Sequence, residues 1–188
     1  MALRPEDDLG NLPKISEIEV SDGLAGNLQT IDVMKKVAQN RSGHPLIRKL
    51  ALNIIQGIPS NHFADESLAI GDYVKNKVRY ARDPLLIEYL QDPVDLVKQI
   101  QSGGVAQGDC DDMALFIATL LLAVGHEPYF RAVRYTDPVG NYNHIYVVDY
   151  DRNGHDGPRE RIVLDAIIKD QPIGTELNHS NGQEYAVA

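Results

Sequence analysis

Apolar positions along the 188-residue chain fall into two regimes that meet at Gly125. Before it they recur at helical spacing, and after it they alternate as in strands. Leu28, Ile31, Met34 and Val37 predict a helix over 28–39, ended by Asn40 and Gly43. Pro45 suits a first helical turn, and Leu46, Ile47, Leu50, Ile54 and Ile55 continue a second stripe that Gly57 closes. A third helix is expected from near Asp65 to Lys77, followed by a short strand at Val78-Arg79-Tyr80. Asp92-Pro93 has the form of an N-cap followed by a first-turn proline, with Val94, Val97 and Ile100 on one face. Gly103-Gly104 breaks that helix. The strongest pattern is 110–124, where Cys110, Met113, Ala114, Ile117, Leu121 and Val124 share a face. Strands are then expected over Tyr129–Tyr135, His144–Asp151 and Arg161–Ala166. Turns are expected at Asp137-Pro138-Val139-Gly140 and at Asn153-Gly154. Helices followed by an antiparallel meander predict an α+β fold rather than alternating βαβ units.

Residues 1–26 are polar, with Pro5, Pro13 and three glycines, and are expected as an extended or mobile arm. The domain proper is expected over 27–170, with 171–188 as a polar tail. Length and an apolar share of 43% suit one soluble domain with a real core. Eighteen basic against 27 acidic residues give a formal charge of −9, which argues against nucleic acid as a partner. No apolar run is long enough for a membrane span, and the first ten residues are too polar for a signal peptide. A cytoplasmic location is therefore the default, although a chain with its leader removed would look the same.

One cysteine excludes an intrachain disulfide and a cysteine-based zinc cluster. Cys110 follows a glycine-containing loop, Gly108-Asp109-Cys110-Asp111-Asp112, and opens the best-defined helix. Unpaired N–H groups there favour a thiolate and can hold an oxyanion. A lone cysteine is more often a small buried hydrophobe, and Cys110 does lie on the apolar face. A nucleophile needs a base, and the base needs an orienting group. His44 precedes a proline and suits a cap, His62 lies in a polar turn, and His126 follows the helix-ending glycine. His155 lies in the hairpin turn and His179 in the tail. Only His144 falls inside a strand, on a face shared with Tyr146 and Val148. Asp165 ends an apolar strand, where aspartate is uncommon. Counting outward from the Asn153-Gly154 turn sets Asp165 opposite about 143–144, beside His144. The three residues then form a Cys110–His144–Asp165 constellation.

Gly108-Asp109-Cys110-Asp111-Asp112-Met113-Ala114, Asn143-His144 and Leu164-Asp165-Ala166, in this order, resemble the transglutaminase-like superfamily of papain-like fold. The resemblance covers roughly 65–170. It is nearest to short phage and prophage proteins of that type and to bacterial transglutaminase-like cysteine peptidases. It implies Cys110 as nucleophile, His144 as base and Asp165 as orienting group, acting on peptide or glutamine amides with no cofactor. The chain departs from cross-linking transglutaminases, since it lacks their Gln-Cys-Trp element and contains no tryptophan. Hydrolysis is therefore expected over cross-linking. A catalytically silent module, used for binding or as a virion part, is the alternative.

Asp109, Asp111 and Asp112 flank the cysteine, and carboxylates disfavour a thiolate nearby. Helix capping and dipole complementation explain them with groups already visible. The resemblance also permits Ca²⁺, which related bacterial peptidases bind at a similar string, but three carboxylates alone are too few ligands. A second oxyanion donor beside the Cys110 N–H is expected from either Gln107 or Tyr80.

Overall fold

The computed structural model describes residues 23–83, 89–135, 142–152, 159–179 and 181–188. Of the arm expected over 1–26, residues 1–22 lie outside these residues and residues 24–26 instead form the first turn of a helix; both expected turns also lie outside. The order is α1 Leu24–Ser42, α2 Pro45–Ile54, α3 Phe63–Lys77, β1 Val78–Tyr80, α4 Pro93–Gly103, β2 Ala106–Gly108, α5 Cys110–Ala123, β3 Tyr129–Arg134, β4 His144–Tyr150, β5 Arg161–Leu164 and β6 Asn181–Ala186. The fold is α+β, as expected. Helix α1 runs longer at both ends than its apolar repeat indicated, because Ile31, Met34 and Ala38 anchor its middle and the flanking turns propagate from there.

Local chemistry sets the helix ends. His44 Nδ1 accepts the Leu46 N–H at 3.2 Å before Pro45. The Asp92 carboxylate accepts the Val94 N–H at 2.9 Å, and Arg41 donates to it from α1 at 2.7 Å. Gly104 ends α4 with φ 80°, a left-handed conformation that other residues adopt only under strain.

Helix α5 is the hub. It packs against α1, α2, α3, α4 and β4, and twelve of its residues are buried, among them Leu115, Phe116, Ile117, Leu120 and Leu121. Full burial of each such side chain contributes about 1.5–3 kcal/mol. The antiparallel sheet, ordered β5-β4-β3-β6, lays one face on the helices through Phe130, Ala132, Val147, Ile162 and Leu164. Val133, Tyr146, Val148 and Val163 form a smaller cluster on the other face. By strand alternation His144 belongs to that second face.

Two findings extend the expected topology. The segment 171–188, expected as a polar tail outside the domain, supplies β6, which pairs along the whole of β3. Polar cross-strand partners hold it. Glu184 accepts from Arg131 at 3.1 Å, Arg161 at 3.0 Å and Tyr150 at 2.6 Å. Just beyond it, the fully buried Val187 donates its N–H to Pro128 at 3.0 Å and accepts from Gln39 at 2.7 Å. Strand β2, also not foreseen, pairs in parallel with β1 immediately before Cys110.

Candidate active site

Strand β2 delivers the chain to α5. Tyr80 is opposite Gly108, and the Gly108 carbonyl accepts the Ala81 N–H at 2.9 Å. Gly108 has no room for a side chain, since a Cβ there would stand 2.8 Å from Asp112 Cβ. This close approach lets Asp112 fold back, so that its Oδ2 accepts the Asp109 N–H at 3.3 Å in a capping box. Cys110 is thereby fixed as the first residue of α5, partly exposed. Gln107, opposite Arg79 in β1, and Tyr80, 38% exposed, lie on adjoining strands beside this loop.

Asp112 does more than cap. Fully buried, it accepts the Gln91 N–H and the Gln91 side-chain amide, each at 2.7 Å, and so pins the segment leading into α4 to the start of α5. Burial raises its pKa to about 6, Gln91 opposes the rise, and the Asp109 charge adds to it. Asp111 Oδ1 accepts the Asp112 N–H at 2.9 Å. Ligand atoms of Asp109, Asp111 and Asp112 lie within 4.8 Å of one another. Asp109 Oδ1 is buried and accepts no hydrogen bond from any described residue. Capping thus accounts for part of the cluster, and the remaining oxygen suits a hard cation.

His144 and Asp165 come together as expected, with Nε2 at 2.7 Å from Oδ2 and both residues about 95% buried. They do so along a different register. Leu164 is opposite Val147, so the continuation of β5 carries Asp165 toward Tyr146 rather than His144. The carboxylate then crosses the diagonal between neighbours on one face. Its second oxygen accepts the Ile167 N–H at 3.3 Å.

Two tyrosines flank the imidazole: Tyr146, which the strand pattern already set on its face, and Tyr135, which the sequence reading did not single out. The Tyr135 ring stacks on it at 5.3 Å, and its hydroxyl donates to Asp165 Oδ2 at 3.4 Å. The Tyr146 ring stands 5.6 Å away, with its hydroxyl held by Arg131 and Glu176. The signal for Tyr135 was present, since it directly follows β3, the strand that precedes His144.

A second buried histidine has a different character. His126 Nδ1 donates to Asp149 Oδ2 at 2.6 Å, and its Nε2 donates to Glu66 Oε2 at 2.9 Å. Ser67 also donates to Asp149, at 2.6 Å. Burial pulls the His126 pKa down, but the two carboxylates overcome it and the net shift is upward. With a carboxylate against each ring nitrogen, the imidazole joins α3, the end of α5 and β4. It has no nitrogen left for proton transfer.

No protein-family profile matches the chain, and no curated protein matches it by sequence. Among solved structures, a candidate cysteine protease from Cytophaga hutchinsonii shares 20% identity over 73% of this chain and 41% of its own, with a TM-score of 0.47. A candidate protease from Parabacteroides distasonis shares 11% over 72% of this chain and 30% of its own, with a TM-score of 0.48. LapG of Legionella pneumophila, in an EGTA-treated form, shares 21% over 74% of this chain and 72% of its own, with a TM-score of 0.42. The chain thus spans less than half the length of the first two, and the likeness to all three is one of fold.

Proposed function

We propose that this chain is a cysteine hydrolase of the transglutaminase-like, papain-like type, cleaving peptide or glutamine amides. The observation that carries the reading is the buried His144–Asp165 pair at 2.7 Å in a fold that opens its central helix with the lone cysteine. Asp165 occupies Nε2, so Nδ1 is the nitrogen left to face a thiol. In this reading Nδ1 takes the Cys110 proton, and Sγ forms a bond to the amide carbonyl carbon. The C–N bond then breaks as the imidazolium returns the proton to the departing amine. Water, deprotonated by the same nitrogen, hydrolyses the thioester and releases a carboxylic acid and the free thiol. The Cys110 N–H at the start of α5, with Gln107 or Tyr80, would hold the oxyanion. A hard cation such as Ca²⁺, where bound, would be held by Asp109, Asp111 and Asp112 and would offset their charge beside the thiol.

Fluorogenic casein tests the reading. Hydrolysis by the full chain, lost in Cys110→Ala and His144→Gln, is the expected result. Undiminished hydrolysis in either variant would place the chemistry elsewhere.

A further inference from the structure

The imidazole of His144 has more around it than one carboxylate. Asp165 Oδ2 accepts two hydrogen bonds, from His144 Nε2 at 2.7 Å and from the Tyr135 hydroxyl at 3.4 Å. The Tyr135 ring also stacks on the imidazole, with planes 26° apart. Tyr135 is itself fixed, since its N–H donates to the Asn143 side chain at 3.1 Å, one residue before His144.

We propose that Tyr135 is a positioning residue for the His144–Asp165 pair, its ring fixing the imidazole plane and its hydroxyl setting how strongly Asp165 draws the imidazole proton. The hydroxyl shares an oxygen with His144 Nε2, so each bond weakens the other's claim on that oxygen's charge. A phenol donor there shares the carboxylate's charge with the imidazole, so that removing it would leave that charge to His144 alone. Burial and the Asp165 charge both push the Tyr135 pKa upward, so the hydroxyl stays protonated as a donor. The other titratable groups on this face are Tyr146, held by Arg131 and Glu176, and His179, whose ring stands 6.5 Å from Tyr135. Arg161 pairs with Glu176 behind them. None of these donates to Asp165 Oδ2 among the described residues, so the sharing is assigned to Tyr135.

The catalytic meaning of this arrangement rests on the hydrolase reading, but its physical core does not. The test titrates His144 by NMR in the full-length Cys110→Ala chain, with the resonance identified by its loss in His144→Gln. Tyr135→Phe keeps the ring and removes the donor, and the His144 pKa is expected to rise by about half a unit. Tyr135→Leu is expected to give the same rise and also to remove the ring-current shift on the imidazole. With Cys110 intact, Tyr135→Phe is expected to lower kcat on casein about five- to tenfold at unchanged KM, and to move the acidic limb of the pH profile upward. An unchanged His144 titration in both variants would overturn the proposal. A parent chain that does not cleave casein would count against the hydrolase reading alone, because the titration decides the role of Tyr135 without turnover.

Discussion

Asp165 reaches His144 across a diagonal of the sheet. The β4–β5 ladder pairs Val147 with Leu164, yet Asp165 Oδ2 lies 2.7 Å from His144 Nε2 rather than beside the Tyr146 backbone it approaches. The diagonal fixes which ring nitrogen is occupied, and so which one is left to act.

Asp165→Asn should keep the fold and lose most of the activity. The amide preserves shape but presents a weaker acceptor and a competing donor, so the imidazole loses both orientation and charge support. A drop in kcat of about 10²- to 10⁴-fold is expected, read from casein hydrolysis beside a melting curve close to that of the parent.

Iodoacetamide should alkylate Cys110 in the folded protein at neutral pH. The position is a partly exposed helix start, where a thiolate is stabilised. His144→Gln should slow the labelling about tenfold or more, because the proposed triad would lose the imidazole that takes the thiol proton. A thiol that labels only in denaturant would identify Cys110 as a packing residue.

The His126 cluster should make stability fall as pH rises above about 6.5. Its folded pKa is raised above the ordinary histidine value near 6.5, so its contribution is complete below that value and is lost as pH rises through the folded pKa. Asp149 runs the other way. Burial raises its pKa, but the bonds from His126 and Ser67 outweigh that and hold it low, so its share is present above about 4 and is lost only in stronger acid. His126→Gln should flatten the alkaline decline in urea midpoints measured from pH 6 to 9, at a cost of about 2–4 kcal/mol for the broken buried pair.

Asp112 predicts a stability that falls as pH rises from about 4 to 6, and a response to metal. Its folded pKa of about 6 lies above the ordinary aspartate value of 3.8, so the cost of ionising it grows from about pH 4 to 6. At neutral pH this amounts to about 2–3 kcal/mol. Calcium among Asp109, Asp111 and Asp112 should offset that charge, raise the melting temperature and steepen thiol labelling. Magnesium should do less, because it holds its water more tightly. Melting curves in EGTA that match those in calcium would leave the three aspartates to capping alone.

The parts of this fold that the sequence revealed are those with one strong local cause. Helix α5 was legible from its apolar face, and α4 from Asp92-Pro93. Strand β6 was not, because Asn181, Gln183 and Glu184 are polar and are held by Arg131, Arg161 and Tyr150 from distant strands. Strand β2 has only three residues, too few to show a period. The His144–Asp165 contact was legible although its register was not, because the shift kept both residues on one face. Gln91 and Asp112, and the cluster of Glu66, Ser67, His126 and Asp149, have no spacing in common. Only the folded chain brings them together.

The burial of α5 has a kinetic consequence. Its amides, enclosed by four helices and β4, should exchange with deuterium only when the whole domain opens, and so should report the global unfolding free energy. The Cys110 thiol, on the same helix but at its mouth, should react without that opening. Adjustment to a bound chain would then fall to the Gln91 segment, which Asp112 pins to the start of α5, while the helix that carries Cys110 stays still. Deuterium uptake that changes around Gln91 and stays flat along 113–121 would trace this division of labour.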